Sequence, residues 1–201
     1  MPERFHTIEA KGIKVVVDLA AGQLRAVEIE GEGRKLTPFY TAPWVDDPTI
    51  ANDETILQNL RSLSCDFFCA PFGGTDDPKI PSHGWPANSR WDHVSTVGHP
   101  SGGSVARYAL QKTILGARLI KEITLRDGHP FVYQRHIFEG GEGAISVASH
   151  AMTKFATRGK LSFSPKVYGE APPNPQESDP ARGRSALAYS SHFEDLAKVP
   201  L

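Results

Sequence analysis

The stretch that decides the fold reads SVARYALQKT at 104–113, ARLIKEITL at 117–125, FVYQRHIFE at 131–139 and AISVASHAMT at 144–153. The separators are turn chemistry: Gly116, then Asp127-Gly128-His129-Pro130, then Gly140-Gly141-Glu142-Gly143. Within the second run, Leu119, Glu122, Ile123 and Leu125 do not fall on one helical stripe. Four successive strands joined by short turns make an antiparallel meander. The expectation is an all-β chain of sandwich or barrel-like architecture.

Upstream, Ile13-Lys14-Val15-Val16-Val17-Asp18-Leu19 is β-branched, and Gln23-Leu24-Arg25-Ala26-Val27-Glu28-Ile29 alternates with period two. Gly22 lies between them, so 13–29 reads as a hairpin. Residues 35–44 suit a third strand leading into a loop, and 54–64 a short helical turn. From 65 to 103 the chain is dense in Gly, Pro, Asp, Asn and His, the composition of a long functional loop. Its aromatics (Phe67, Phe68, Phe72, Trp85 and Trp91) argue against disorder. Downstream, five prolines between 164 and 185 mark a second long loop, and 184–189 opens another strand-like run. The expected organisation is a single domain over 1–201.

Composition narrows the function classes. The 201 residues carry a net charge of −1, which leaves no broad electrostatic footprint for nucleic acid or an anionic membrane. No apolar run approaches the roughly 20 residues of a membrane-spanning helix. The first residues lack the apolar core of a secretion signal. With two cysteines, Cys65 and Cys69, in one short segment, no disulfide framework is available, and a cytoplasmic location is expected. Both thiols read as small buried hydrophobes.

Eight histidines invite a metal reading. The His-Glu-x-x-His and Cys-x-x-Cys spacings are missing, so no metal or other cofactor is expected, although a cupin-like site assembled from several strands stays open. There is no Gly-x-Ser-x-Gly elbow for a serine hydrolase and no phosphate-binding loop. Two histidines stand out instead. His83 sits in Pro81-Ser82-His83-Gly84-Trp85. His150 ends the run Ile145 to Ser149, where alternation puts Ile145, Val147 and Ser149 on one face and Ser146, Ala148 and His150 on the other. Small residues plus one histidine suit the floor of a concave site.

The order of these elements resembles a known family. Phe68-Cys69-Ala70-Pro71-Phe72-Gly73-Gly74, then Pro81 to Trp85, then Asn88 and Arg90-Trp91, resembles the proline/glycine loop and His-Gly…Trp signature of aldose 1-epimerases, shared by glucose-6-phosphate 1-epimerase-like proteins. Ser149-His150-Ala151-Met152 looks like that family's later histidine element. The resemblance implies a galactose-mutarotase-like antiparallel β-sandwich, or supersandwich. The activity it implies is interconversion of sugar anomers by acid–base ring opening, on a free or phosphorylated aldose. By resemblance His150 would protonate the ring oxygen and His83 would hydrogen-bond the sugar. Trp85, Trp91 and Phe72 would offer apolar faces, and Asn88 and Arg90 polar contacts.

The chain departs from the family in two places. The family's late glutamate base has no counterpart, since Glu170, Glu177 and Glu194 lie in unmatched contexts, and its substrate arginine is replaced by the 65–74 stretch. A sandwich incomplete at its C-terminal end is therefore expected, with self-association as a homodimer through open strand edges. A non-catalytic sugar-binding protein of the same fold is the alternative.

Overall fold

The computed structural model describes residues 3–31, 33–157, 162, 164–171 and 191–193. Contacts gather the chain into two compact units, Met1–Ala156 and Thr157–Leu201. In the first, β1 (Phe5–Ala10), β2 (Ile13–Asp18), β3 (Gln23–Gly31) and the short β4 (Arg34–Leu36) form a four-stranded sheet in sequence order. The expected hairpin is β2–β3. Ile13, Val15 and Val17 alternate inward with at most 3% exposure while Lys14 faces solvent, as period two requires. A bulge between Val16 and Val17 shifts the register, so that Val16 opposes Ala26 and Val17 opposes Leu24.

The connection carries two single-turn helices, α1 (Pro48–Ala51) and α2 (Gln58–Arg61), then the two-residue β5 (Phe68–Cys69) and α3 (Gly84–Asn88). The second four-stranded sheet follows as a meander: β6 (Trp91–Gly98), β7 (Gly103–Leu110), β8 (Arg118–Arg126) and β9 (Tyr133–Glu139), each antiparallel to the next. β10 (Ala148–Ser149) leaves the meander and pairs with β5. Ile8, Val15, Val17, Leu24 and Val27 of the first sheet share one core with Ala106, Tyr108, Leu119, Ile123 and Leu125 of the second, so this unit is sandwich-like. In the second unit β11 (Gly169–Ala171) pairs with β12 (Ser191–Phe193). The described strands pair antiparallel throughout, which makes the chain all-β in class.

Three expectations change. The irregular stretch is shorter than 65–103, because residues 91–98 are a strand; its side chains are mostly exposed, so the sequence carries little apolar alternation there. The fourth run of the meander contributes only Ala148–Ser149 as strand, and Val147, which alternation groups with Ile145 and Ser149, is 49% exposed. The proline-rich loop holds β11 within its described part; the rest of it, and the run at 184–189, lie outside the described residues. No helix among the described residues is long and apolar enough to cross a membrane.

The meander's first turn depends on Gly103, at φ +101, where a Cβ would overlap the Leu125 carbonyl oxygen. Gly103→Ala is expected to cost on the order of 2 kcal/mol, read as a lower urea midpoint with an unchanged m-value.

Candidate functional site

The 65–70 segment runs beside β3, where the Leu24 N–H donates to the Asp66 carbonyl at 2.8 Å. Alternation turns Phe67 and Cys69 to one side, against Ala87 and Met152, and turns Phe68 and Ala70 into the main core. On the Phe67 side the ribbon β5–β10 continues through His150, whose N–H donates to the Phe67 carbonyl at 2.8 Å. The His150 ring stacks on Phe67 with centroids 4.6 Å apart and planes 8° from parallel.

His83 reaches the same place from the other end of the loop. It is the residue before α3 and has φ +67, a left-handed conformation uncommon for a side chain with a Cβ. Gly73 clamps it twice. The His83 N–H donates to the Gly73 carbonyl at 2.7 Å, and the Gly73 N–H donates to His83 Nδ1 at 3.3 Å. Accepting at Nδ1 puts the proton of the neutral ring on Nε2, which becomes a donor. The Cys69 sulfur also lies 3.5 Å from Nδ1. Burial, and then the neighbouring His150, push the His83 pKa below the ordinary imidazole value.

The two imidazoles meet edge to face at 5.4 Å. Phe72, 46% exposed, stands 5.7 Å from His83 and 6.4 Å from His150 and is anchored through its N–H to Ser146. The result is a pair of titratable rings between one buried and one exposed phenylalanine. His150 Nδ1 is buried without a hydrogen-bond partner.

The remaining predicted residues divide. Asn88 is a positioning residue: its amide donates to the carbonyls of Ser82 and Gly84, both at 2.9 Å, and its oxygen accepts the Asn59 N–H at 3.2 Å. All three bonds hold the turn that carries His83. Asn88→Ala is expected to lower stability by roughly 2 kcal/mol, checked by urea denaturation, with a larger His83 Nδ1 chemical-shift change than any other histidine shows. Arg90 is engaged elsewhere, donating to the Glu3 carbonyl at 2.8 Å and facing Asp92 at 3.9 Å. Trp91 is fully buried, its indole N–H on the Pro86 carbonyl, so it holds the loop to the core and presents no face outward. Trp85 is half-buried against the core beneath the Lys112 ammonium, 5.2 Å from its ring.

Phe67 and Cys69 belong to the site; the sequence marked Phe67 only as an aromatic arguing against disorder, and Cys69 as a small buried hydrophobe within the resembling stretch. Their signal was the period-two alternation through 67, 69 and the bridged 148–150. Both thiols are buried and free, and burial lifts Cys65 to about 11 and Cys69 to about 12. No group of three or more His, Cys, Asp or Glu side chains suited to a metal ion occurs among the described residues. Comparison with family models, with curated proteins and with solved structures finds no match to this chain.

Proposed function

We propose that the chain is an aldose 1-epimerase-like isomerase of galactose-mutarotase type, interconverting the anomers of a free aldose. The observation that carries this reading is the edge-to-face pair His83–His150, walled by Phe67 and the exposed Phe72. An imidazole can give up a proton and take it back within one turnover. His150 protonates the ring oxygen and water takes the C1 hydroxyl proton as the bond between C1 and the ring oxygen opens, and both transfers reverse on closure from the other face. His83 Nε2–H donates to a sugar hydroxyl and holds the open chain. Phe72 offers its face to the apolar C–H groups of the sugar.

One observation favours a second reading, a sugar-binding protein of the same fold without catalysis. Among the described residues no carboxylate forms an ion pair with either imidazole, and Asp66, the carboxyl group that interacts electrostatically with His150, is buried with its pKa raised by that burial. Anomer exchange by saturation-transfer NMR on D-glucose, D-galactose and their 6-phosphates separates the two. Exchange above the buffer rate, saturating with sugar, supports the isomerase. Saturable binding with exchange at the buffer rate supports the binding protein. Neither binding nor exchange overturns both.

A further inference from the structure

β1 is an edge strand whose ladder runs to β2, yet it also closes over the second sheet, packing across β7 and β8. Polar side chains hold that seam. The Arg90 guanidinium donates to the Glu3 carbonyl at 2.8 Å, and the Ser104 hydroxyl to the Glu9 carbonyl at 2.7 Å. Between these bonds His6 stacks on His93, with centroids 3.8 Å apart and planes 23° from parallel.

A bulge in β6 builds the pair. The register shifts between His93 and Ser95, so that His93 opposes Tyr108 and Thr96 opposes Ala106, while Val94 is left over and 59% exposed. Tyr108 and Ala106 share one face of β7. The extra residue therefore puts His93 and Thr96 on that face too, although they are three positions apart. Both meet His6, which shares its face of β1 with the buried Ile8.

The hydrogen bonds run in one direction. Tyr108 is fully buried, and among the described residues its hydroxyl bonds His6 Nδ1 alone, at 2.8 Å. The phenolic hydrogen is satisfied only when Tyr108 is the donor. The proton of neutral His6 then sits on Nε2, 3.5 Å from Thr96 Oγ1, and the Thr96 hydroxyl reaches His93 Nε2 at 2.8 Å. From Tyr108 through His6 and Thr96 to His93, each donor has an acceptor while both rings are neutral.

A proton breaks this chain at either end. On His93 Nε2 it turns the Thr96 hydroxyl away. On His6 Nδ1 it meets the phenolic hydrogen, which then loses its acceptor inside the core. Two protons also place like charges face to face. Burial, and then His93, push the His6 pKa below its ordinary 6.5, with Glu3 opposing. The other neighbours do not reverse this. Val17 opposes His6 on β2, Asp92 is bonded by Gln111 and faces Arg90, Arg107 pairs with Glu122, and Lys121, opposite Tyr108 on β8, is itself cationic. A released β1 carries an ordinary histidine that takes up the proton first. The closed seam thus keeps its full stability above pH 6.5 and loses it as pH falls through that value.

We propose that His6, His93 and Tyr108 form an acid-released latch: the neutral pair fastens β1 to the second sheet, and protonation frees the strand. Release uncovers the core beneath Ile8 and opens the edge of β2. The latch makes no use of His83 or His150 and stands whether or not they act on a sugar.

The test is amide hydrogen exchange of the full chain at about pH 7.5 and about pH 5, comparing protection factors of residues 5–8 with those of β8. The central β8 reports general acid destabilisation, so the ratio isolates the seam. The expected result is a fall of tenfold or more in β1 protection relative to β8 on acidification. His6→Gln offers Tyr108 an amide oxygen and carries no titratable proton, so its fall should shrink to within about twofold. His93→Phe keeps a ring on His6 and should give an intermediate fall. The readout is the change with pH, so a lower starting protection in either variant does not alter it. A wild-type ratio that does not change with pH overturns the latch, and so does a fall undiminished in His6→Gln.

Discussion

Lys121→Ala is expected to lower stability by about 3–5 kcal/mol, read as a fall in the urea midpoint of the full chain. The side chain fills a fully buried position between Leu119 and Ile123, its ammonium donates to the Gly22 carbonyl, and that group lies 5.2 Å from the Trp91 ring. Truncation removes both contacts, opens a cavity in the shared core, and withdraws a charge that partly offsets the burial raising the Asp66 pKa. Lys121→Met, which keeps most of the volume, should cost much less.

The same lysine gives stability a pH dependence with a definite sign. Burial lowers its pKa from 10.5 to about 8, with Asp66 and Cys69 opposing the fall. Above pH 8 the folded chain has released this proton while the unfolded chain still holds it, so stability rises with pH. The thiols act in the opposite direction. Folded values near 11 and 12 against an ordinary 9.0 mean that the unfolded chain loses those protons first, and stability falls above about pH 9. Urea midpoints between pH 7 and 10.5 should therefore pass through a maximum near pH 9. Lys121→Met should abolish the rising limb and keep the falling one; a wild-type profile flat from 7 to 9 would contradict the assignment.

Lys121 also shows what could be read from sequence and what could not. The β8 run is inward at Leu119, Ile123 and Leu125, so strict alternation places Lys121 inward as well, a signal present in the sequence and easily passed over as one more surface lysine. The β2–β3 hairpin and the β7–β9 meander were legible because alternation and turn glycines are local information. β1 and β6 were not. Their side chains are largely half-exposed or exposed, and what makes them strands is hydrogen bonding to β2 and β7. The pairing of 148–149 with 68–69 joins residues about eighty positions apart, beyond the reach of any window reading. Trp91 misleads for a related reason: within a Gly/Pro-rich stretch it looks available, yet it begins a strand whose first side chain points into the core. His83 and His150 were visible as residues with no packing reason to be where they are. Their meeting at 5.4 Å, and the two phenylalanines around them, depend on that same long-range pairing.

His150→Ala carries the largest expected functional effect, a loss of about 10²–10⁴-fold in catalysed anomer exchange, the usual contribution of one positioned acid–base group. Alanine also removes the stack on Phe67, so a lost rate alone would not separate chemistry from packing. His150→Phe does separate them, because it keeps an aromatic ring on Phe67 and deletes the transferable proton. If His150 is the acid, the phenylalanine variant binds sugar with an affinity close to the parent's and exchanges anomers at the buffer rate. Phe72→Ala should behave in the opposite way, raising KM several-fold with kcat little changed, since an exposed ring beside the pair contributes contact rather than proton transfer. Exchange retained in His150→Phe would remove this histidine from the chemistry and leave the pair as a packing arrangement beneath a sugar-binding face.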